Sequence, residues 1–274
     1  MRPAAGSVRL IERALQHDRW VMIGGLVLIS ALAWAYTIAG VGLEMNAHAV
    51  TGHAGGATQI SGETMATPAI EWTLAQAWAM LAMWWIMMVA MMLPSAAPII
   101  LLAAELNRRS RAERAPFGAT GAFAGGYLLV WLFFSIVAVA AQYALQAGGL
   151  LSPMMQGTSK YLTGSLLFAA GLWQLTPVKR ACLRHCRSPV EFLTSCRRSG
   201  NKGALHMGAA HGIYCVGCCW ILMALLFAGG VMNPYWIVAL TLYVLLEKLF
   251  PRGEGIARIA GAALIVSALV VFSG

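Results

Sequence analysis

Long apolar stretches dominate this chain and leave few folds open to it. Hydrophobic residues make up 59% of the 274 residues, and charged residues only 11%. Several stretches approach or exceed the roughly 20 apolar residues that a helix needs to cross a bilayer. Because a backbone in lipid must satisfy its own hydrogen bonds, such stretches are expected to be helices. The sequence therefore predicts an all-α, polytopic transmembrane helix bundle.

About seven stretches have this character, with boundaries defined to a few residues. They cover residues of about 20–42, 73–102, 118–147, 161–177, 206–231, 235–250 and 256–273. Residues 1–19 form a basic cytoplasmic tail, and residues 20–274 form a single transmembrane domain. The longest connection, about residues 43–72, is rich in Gly, Ala and Thr and contains no Lys or Arg, which predicts a flexible external loop.

Basic residues are confined almost entirely to alternate connections. Apart from Lys160, they lie in the N-terminal tail and in or beside the second, fourth and sixth connections. This asymmetry follows the positive-inside rule and predicts a cytoplasmic N-terminus and an external C-terminus. The formal net charge of +9 is therefore a topology signal, and its electrostatic partner is the anionic surface of membrane lipids, not nucleic acid.

The fifth stretch carries thiols where lipid-facing helices usually carry leucine. It contains His211, Cys215, Cys218 and Cys219. On a helix these positions follow the spacing i, i+4, i+7 and i+8, so they share one face. Cysteine is also a small apolar residue at home in helix packing, and that simpler interpretation suffices for Cys196. A stripe of three thiols with an imidazole favours a metal or redox site.

A second thiol group precedes this stretch on the cytoplasmic side. Cys182 and Cys186 are four residues apart, with His185 between them, in a basic segment that Pro189 ends. On a helix both thiols share one face. At 1.5 Å per residue, His211 lies about 8–9 Å into the fifth span. Cys182, His185 and Cys186 are thus expected to cap the mouth of a site whose deeper ligands are the thiols of the fifth span.

The second span carries a stripe of methionines. Met80, Met83 and Met87 follow helical spacing along one side of it. Thioethers are soft, neutral ligands for Cu(I). Methionine is also a flexible gap filler, and a stripe of this kind is more often packing than a conduit. Pro94 and Pro98 either kink the span beside this stripe or end the helix.

The donor types narrow the choice of metal. Thiols that face the reducing cytosol favour metal binding or catalytic thiol chemistry over a structural disulfide. A bound cation offsets the cost of burying thiolates in an apolar layer. Two or three thiolates with imidazole or thioether suit either copper(I) or zinc, and the methionines favour copper(I). Lys248, at the end of the sixth span, is expected to snorkel outward, and Glu247 either pairs with it or orients a histidine.

Four sequence stretches carry a resemblance to a known family. They read MWWIMMVAMMLP, LWQLTPVKRACLRHC, GIYCVGCCWILM and LLEK. Together they resemble the bacterial family known as domain of unknown function 2182, which is described as predicted metal-binding integral membrane proteins. The resemblance spans most of the chain from the second to the sixth span and implies a metal-binding protein of the bacterial inner membrane. It extends to Cys182, Cys186, Cys215, Cys218 and Cys219, whereas His185, His211 and the methionines are added from their spacing.

Three functions are compatible with these patterns. The first is copper(I) handling, by transport, loading or delivery, with a metallochaperone or a membrane-complex subunit as partner. The second is a thiol–disulfide oxidoreductase that uses Cys215-x-x-Cys218, with Cys182 or Cys186 as the partner thiol. The third is a structural or assembly subunit whose thiols are packing. The sequence contains no nucleotide-binding loop, serine triad or paired acid–base carboxylates, so a binding protein is more expected than an enzyme.

Overall fold

The computed structural model describes residues 20–40, 73–109, 116–152, 155–196, 198 and 200–273. Over these residues the regular elements are all helices, which confirms the all-α class. They are α1 (Trp20–Gly40), α2 (Leu74–Arg109), α3 (Pro116–Ala147), α4 (Lys160–Leu175), α5 (Pro177–Arg187), α6 (Pro189–Ser195), α7 (Gly200–Ala224), α8 (Leu226–Gly229), α9 (Pro234–Leu249) and α10 (Gly253–Ser273). The predicted basic tail at residues 1–19 and the predicted external loop at residues 43–72 lie outside the described residues.

Within the described residues, five helical segments are long and apolar enough to cross a membrane. They are Trp20–Gly40, Leu74–Asn107, Ala119–Ala147, Gly200–Gly229 and Gly253–Ser273. The fourth and sixth predicted spans correspond to α4 and α9, which have 16 residues each. At 1.5 Å per residue such a helix extends about 24 Å, somewhat less than a hydrocarbon layer of about 30 Å. The prediction of about seven spans therefore depends on these two short helices.

Two helix boundaries differ from those expected. Pro94 and Pro98 lie inside α2, which continues to Arg109, so the prolines do not end this helix. Near these prolines, Met92 O accepts hydrogen bonds from Tyr127 Oη at 3.1 Å and from Ser95 Oγ at 2.9 Å. Helix α7 begins at Gly200 rather than at residue 206, which lengthens the thiol-bearing helix at its N-terminal end.

Close packing on α3 and α5 places α7 at the centre of the site. Helix α3 packs along α7 more extensively than any other described pair of helices pack together. Glycines permit this approach, because a Cβ at Gly126 would overlap the carbonyl oxygen of Leu205, and a Cβ at Gly208 would overlap that of Phe123. The result is that side chains of α3 reach the thiol face of α7.

Helix α5 runs back along α7 in the opposite direction. Its N-terminus is capped by the Thr176 side chain, which accepts a hydrogen bond from Lys179 N. Gly217 allows the helices to meet, since a Cβ there would lie only 2.9 Å from Cys182 Sγ. Farther along α5, the ring of His185 stacks on Tyr214 with 4.2 Å between ring centroids. This pairing brings the two thiol groups of the sequence together.

Candidate metal centre

Four cysteines from two helices lie close together, with the sulfur of Cys215 at the centre. Cys215 is fully buried. The thiols of Cys218 and Cys219 donate to Cys215 O at 3.1 and 2.9 Å, and both side chains interact with the Cys215 sulfur, as does that of Cys186. Cys186 Sγ lies 4.0 Å from Cys218 Sγ across the α5–α7 contact. These four residues are called the thiol cluster below: Cys186, Cys215, Cys218 and Cys219.

The sequence led us to expect Cys186 at the mouth of the site. In the structure Cys186 lies within the cluster. The reason is the reversal of α5, which folds it back against the thiol face of α7. All six cysteines of the chain lie in the described part of the structure, and all are free thiols. Cys182 is half-buried beside Gly217, next to the cluster, whereas Cys196 is exposed at the end of α6.

A lysine from α9 contacts the thiol cluster directly. Lys248 Nζ lies 3.0 Å from Cys215 Sγ and donates to Ser95 Oγ at 3.1 Å. Tyr127 Oη lies 3.2 Å from the same sulfur. Lys248 is only 8% exposed, so it is buried against the cluster rather than snorkelling outward. Sequence inspection gave no signal for this contact, because the lysine stands at a helix end where snorkelling is common.

A second buried lysine accounts for the neighbouring carboxylate. Lys179, which is fully buried, forms an ion pair with Glu247 at 2.6 Å and a short hydrogen bond to Gln174 Oε1. Gln174 Nε2 in turn donates to Tyr243 Oη at 2.6 Å. Glu247 is thus paired with Lys179 of α5, not with Lys248 and not with a histidine. Among the described residues, no carboxylate lies within ion-pair distance of Lys248.

His211 is buried one helical turn before Cys215. Its ring packs against Tyr127 and Phe192, with 5.8 and 5.5 Å between ring centroids. Its Nδ1 atom is buried and has no hydrogen-bond partner among the described residues. Leaving such a group unsatisfied costs about 1–3 kcal/mol. An unpaired imidazole nitrogen beside a group of thiols is a donor set that fits a soft metal ion.

The candidate ligands on α5 differ in their distance from the cluster. His185 is exposed, and its Nδ1 donates to Ala181 O at 2.9 Å, so the structure does not bring it into the cluster. Hydrogen bonding with the neighbouring sulfurs of Cys215 and Cys218, together with burial, raises the pKa of Cys186 well above its usual value. Burial also raises the pKa of Cys182. Both side chains are therefore neutral thiols at neutral pH when no metal is bound.

The predicted methionine stripe is divided between two surroundings. Gln142 Nε2 donates to Met80 Sδ at 3.6 Å and to Met155 Sδ at 3.2 Å, while Gln142 Oε1 accepts from Trp84 Nε1 at 2.7 Å. Met83 and Met87 instead line a cavity of about 70 Å³. This cavity is called the thioether pocket below, and its lining residues are Tyr36, Thr37, Gly40, Ala79, Met83, Met87, Val231 and Met232.

Helix α2 connects the thioether pocket with the thiol cluster. The carbonyl of Met92 lies beside the Tyr127 hydroxyl that contacts Cys215. Met83 and Met87 precede Met92 by about 14 and 8 Å along the helix axis, at 1.5 Å per residue. Met88 and Met91 occupy the intervening turn, and both are almost fully buried. Buried methionines therefore lie along α2 between the two regions.

The thiols are close together without forming a closed cage. Among the residues that the structure describes, no three His, Cys, Asp or Glu side chains are arranged as a ready metal site. A structural zinc site has four closed ligands in a tetrahedron. The donors present are instead thiols, one unsatisfied imidazole nitrogen and separate thioethers, a soft set suited to copper(I).

The site is thus a group of buried thiols at the centre of a bundle of membrane-length apolar helices. The family PpoB2, described as a copper chaperone, has a family model that matches residues 81–271. The match covers more than half of the chain, so the chain belongs to this family. Its name differs from that of the family that the sequence resembles, and its description adds copper to metal binding. No curated protein and no solved structure gives a significant match.

Proposed function

We propose that the protein is an integral membrane protein that takes up copper(I), holds it at the thiol cluster and passes it on. The observation that carries this proposal is the meeting of Cys186 from α5 with three thiols of α7 around the buried Cys215 sulfur. Membership of a family described as a copper chaperone supports the choice of metal. The ligands are Cys215, Cys218, Cys219 and Cys186, with His211 as a neutral donor and Cys182 and His185 at the periphery.

The arrangement in the bacterial inner membrane has about seven spans, with a cytoplasmic N-terminus and an external C-terminus. Five long apolar helices support it. Large apolar side chains face outward on two of them, with Phe133 of α3 68% exposed and Ile259 of α10 74% exposed. Lipid is the solvent that such a surface fits. In this arrangement α4 and α9 are the two short spans.

Copper(I) suits the cluster better than zinc for a geometric reason. Two thiolates with a linear arrangement suffice for copper(I), whereas zinc needs four ligands in a closed tetrahedron. The described thiols and the unpaired Nδ1 atom of His211 do not complete such a tetrahedron. An open and incomplete ligand shell also favours transfer of the ion to a partner over permanent storage.

The methionines supply a neutral route between the outer half of the bundle and the thiols. Met83, Met87 and Met232 line the thioether pocket, and Met80 lies nearer the start of α2, where Gln142 contacts both it and Met155. Thioethers hold copper(I) without releasing a proton, so they exchange it readily. Copper enters at the pocket, reaches the thiol cluster along α2 and leaves to a metallochaperone or a membrane-complex subunit. The protein is therefore a carrier of the metal rather than an enzyme.

Copper(I) competition on the purified, reduced protein tests this proposal. A chromogenic chelator competes for the ion with the wild type, with Cys215→Ser/Cys218→Ser and with the control Cys196→Ser, whose cysteine is exposed and away from the cluster. The double variant is expected to lose about three orders of magnitude in affinity, equivalent to about 4 kcal/mol, and the control to bind as the wild type does. Retention of full affinity by the double variant, or no copper binding by the wild type, would refute the proposal.

Thiol–disulfide exchange is the second candidate, because the sulfur atoms of one cross-helix pair of cysteines are in van der Waals contact. Cys186 Sγ and Cys218 Sγ are 4.0 Å apart, and a disulfide requires about 2.05 Å. Alkylation of the thiols followed by mass measurement separates the two functions. Protection from alkylation by copper(I) alone supports metal binding, whereas reversible oxidation of the Cys186–Cys218 pair without metal supports redox chemistry. Thiols that show neither behaviour indicate the structural subunit.

A further inference from the structure

Lys248 places a positive charge in contact with a site built for a positive ion. Its ammonium nitrogen is 3.0 Å from Cys215 Sγ, and its second partner, Ser95 Oγ, is uncharged. The carboxylate next to it in sequence, Glu247, is already paired with Lys179. The charge of Lys248 is therefore balanced within the described structure only by the thiol cluster, and any metal bound there shares that balance.

Counting charges distinguishes monovalent from divalent ions. Two thiolates and a monovalent ion carry a net charge of −1, which the Lys248 ammonium brings to zero. Two thiolates and a divalent ion are already neutral, so the same ammonium leaves an uncompensated positive charge in the protein interior. Burying an uncompensated charge is costly, whereas a balanced set is tolerated.

We propose that Lys248 determines the charge of the ion that the thiol cluster accepts, favouring monovalent soft ions over divalent ones. This inference rests on the proposed metal-binding role of the cluster. Lys248 is a specificity-determining residue here and not a ligand, because an ammonium has no lone pair to donate. With an effective dielectric constant of about 20 and a separation of roughly 6 Å between ammonium and ion, one additional unit of charge on the ion costs about a hundredfold in affinity.

The test compares ions that share an electron count and differ in charge. Ag(I) and Cd(II) are both soft ions with filled d shells, and neither changes oxidation state once the free reductant has been removed from the reduced protein. Titrations on purified, reduced protein give the ratio of Ag(I) to Cd(II) affinity for the wild type and for Lys248→Met, which keeps a similar volume without charge. The ratio is expected to fall about a hundredfold in the variant. Lys248→Arg is expected to retain most of the wild-type ratio, and Lys160→Met, at an exposed lysine, all of it.

A second variant reaches the same result without removing the lysine. Ser95→Asp places a carboxylate beside Lys248 Nζ and neutralises its charge, so the ratio is again expected to fall. An unchanged ratio in a folded Lys248→Met or Ser95→Asp variant overturns the inference, while the wild-type copper(I) affinity still supports the proposed function. A wild type that binds neither Cu(I) nor Ag(I) refutes the proposed function itself, and the inference fails with it.

Discussion

Sulfur lines two regions of this bundle, and the surroundings of the sulfur atoms differ between them. In the thiol cluster, Cys215 meets an ammonium and a phenol, and the nearby thiols can ionise. In the thioether pocket, Met83, Met87 and Met232 face a cavity of about 70 Å³ lined by apolar residues and by Tyr36 and Thr37 of α1. The cluster lies among charges in packed helices, whereas the pocket is uncharged and open enough to admit an ion.

This difference indicates that the two regions would interact with copper(I) in different ways. Thiolates bind copper(I) strongly, but each forms only after a thiol has lost its proton, and its negative charge needs a counter-charge. Thioethers bind it weakly and need neither. The thiol cluster is therefore suited to holding the ion and the thioether pocket to receiving it.

The largest effect is expected at the buried ion pair beside the thiol cluster. Lys179→Met leaves Glu247 buried without its partner, which is expected to lower the free energy of unfolding by about 3–5 kcal/mol. Unfolding in detergent, followed by circular dichroism, measures the loss. Lys179→Met/Glu247→Leu removes both charges and is expected to regain most of the stability. If the single variant is as stable as the wild type, buried charge does not hold this end of the bundle together.

The pH dependence of copper(I) binding separates the two regions by chemistry. Hydrogen bonding and burial hold the pKa of Cys186 well above its usual value, so this thiol is protonated at neutral pH and must release its proton to bind copper. Binding therefore weakens as the pH falls, by about tenfold per pH unit for each proton released, or about a hundredfold between pH 8 and pH 6. Chelator competition across this range measures the slope for the wild type.

A variant that can bind copper(I) only at the thioether pocket is expected to show a different pH dependence. Copper(I) bound by Cys186→Ser/Cys215→Ser/Cys218→Ser/Cys219→Ser, which lacks the four cluster thiols and keeps the pocket thioethers, is expected to show a much flatter dependence on pH, because a thioether carries no proton to release. An equally steep slope in that variant would mean that other ionisable groups hold the metal.

The positions of the helices and of one thiol stripe were predictable from the sequence. Apolar stretches of bilayer length give helices whatever the packing, and the spacing of Cys215, Cys218 and Cys219 on one α7 face depends only on helical geometry. The extended start of α7 at Gly200 was not predictable, because the apolar stretch begins several residues after the helix does.

The contacts that define the site come from tertiary packing, which periodicity does not reveal. Lys248 and Cys215 meet across the α9–α7 contact, and Lys179 and Glu247 across the α5–α9 contact. The methionine stripe was ambiguous in a different way. Met80 is rotated about 60° from Met83 around α2, at 100° per residue, which is enough to turn it to a different neighbour. Met155 and Met232 lie in irregular segments where no spacing rule applies.

Removal of the pocket thioethers is expected to have a moderate and selective effect. Met83→Leu/Met87→Leu/Met232→Leu conserves volume, so the free energy of unfolding should change by less than about 1.5 kcal/mol per site. Loading of copper(I) into the thiol cluster is expected to slow by about tenfold, while the affinity at equilibrium remains that of the wild type. Stopped-flow transfer from a copper(I)–chelator complex measures the rate, with Met207→Leu as a buried control outside the pocket. An unchanged rate would leave the methionines with a packing role only.

The smallest effect is expected at His185, and it marks the edge of the thiol cluster. His185 is exposed, its ring stacks on Tyr214, and its Nδ1 is used by the Ala181 carbonyl. His185→Gln is therefore expected to change the copper(I) affinity by less than about threefold, or about 0.7 kcal/mol. His211→Gln is the matched comparison, because its buried Nδ1 lacks a partner one turn from Cys215, and a loss of about tenfold is expected there. A larger loss at His185 than at His211 would move the centre of the site from the interior of α7 to the α5 surface.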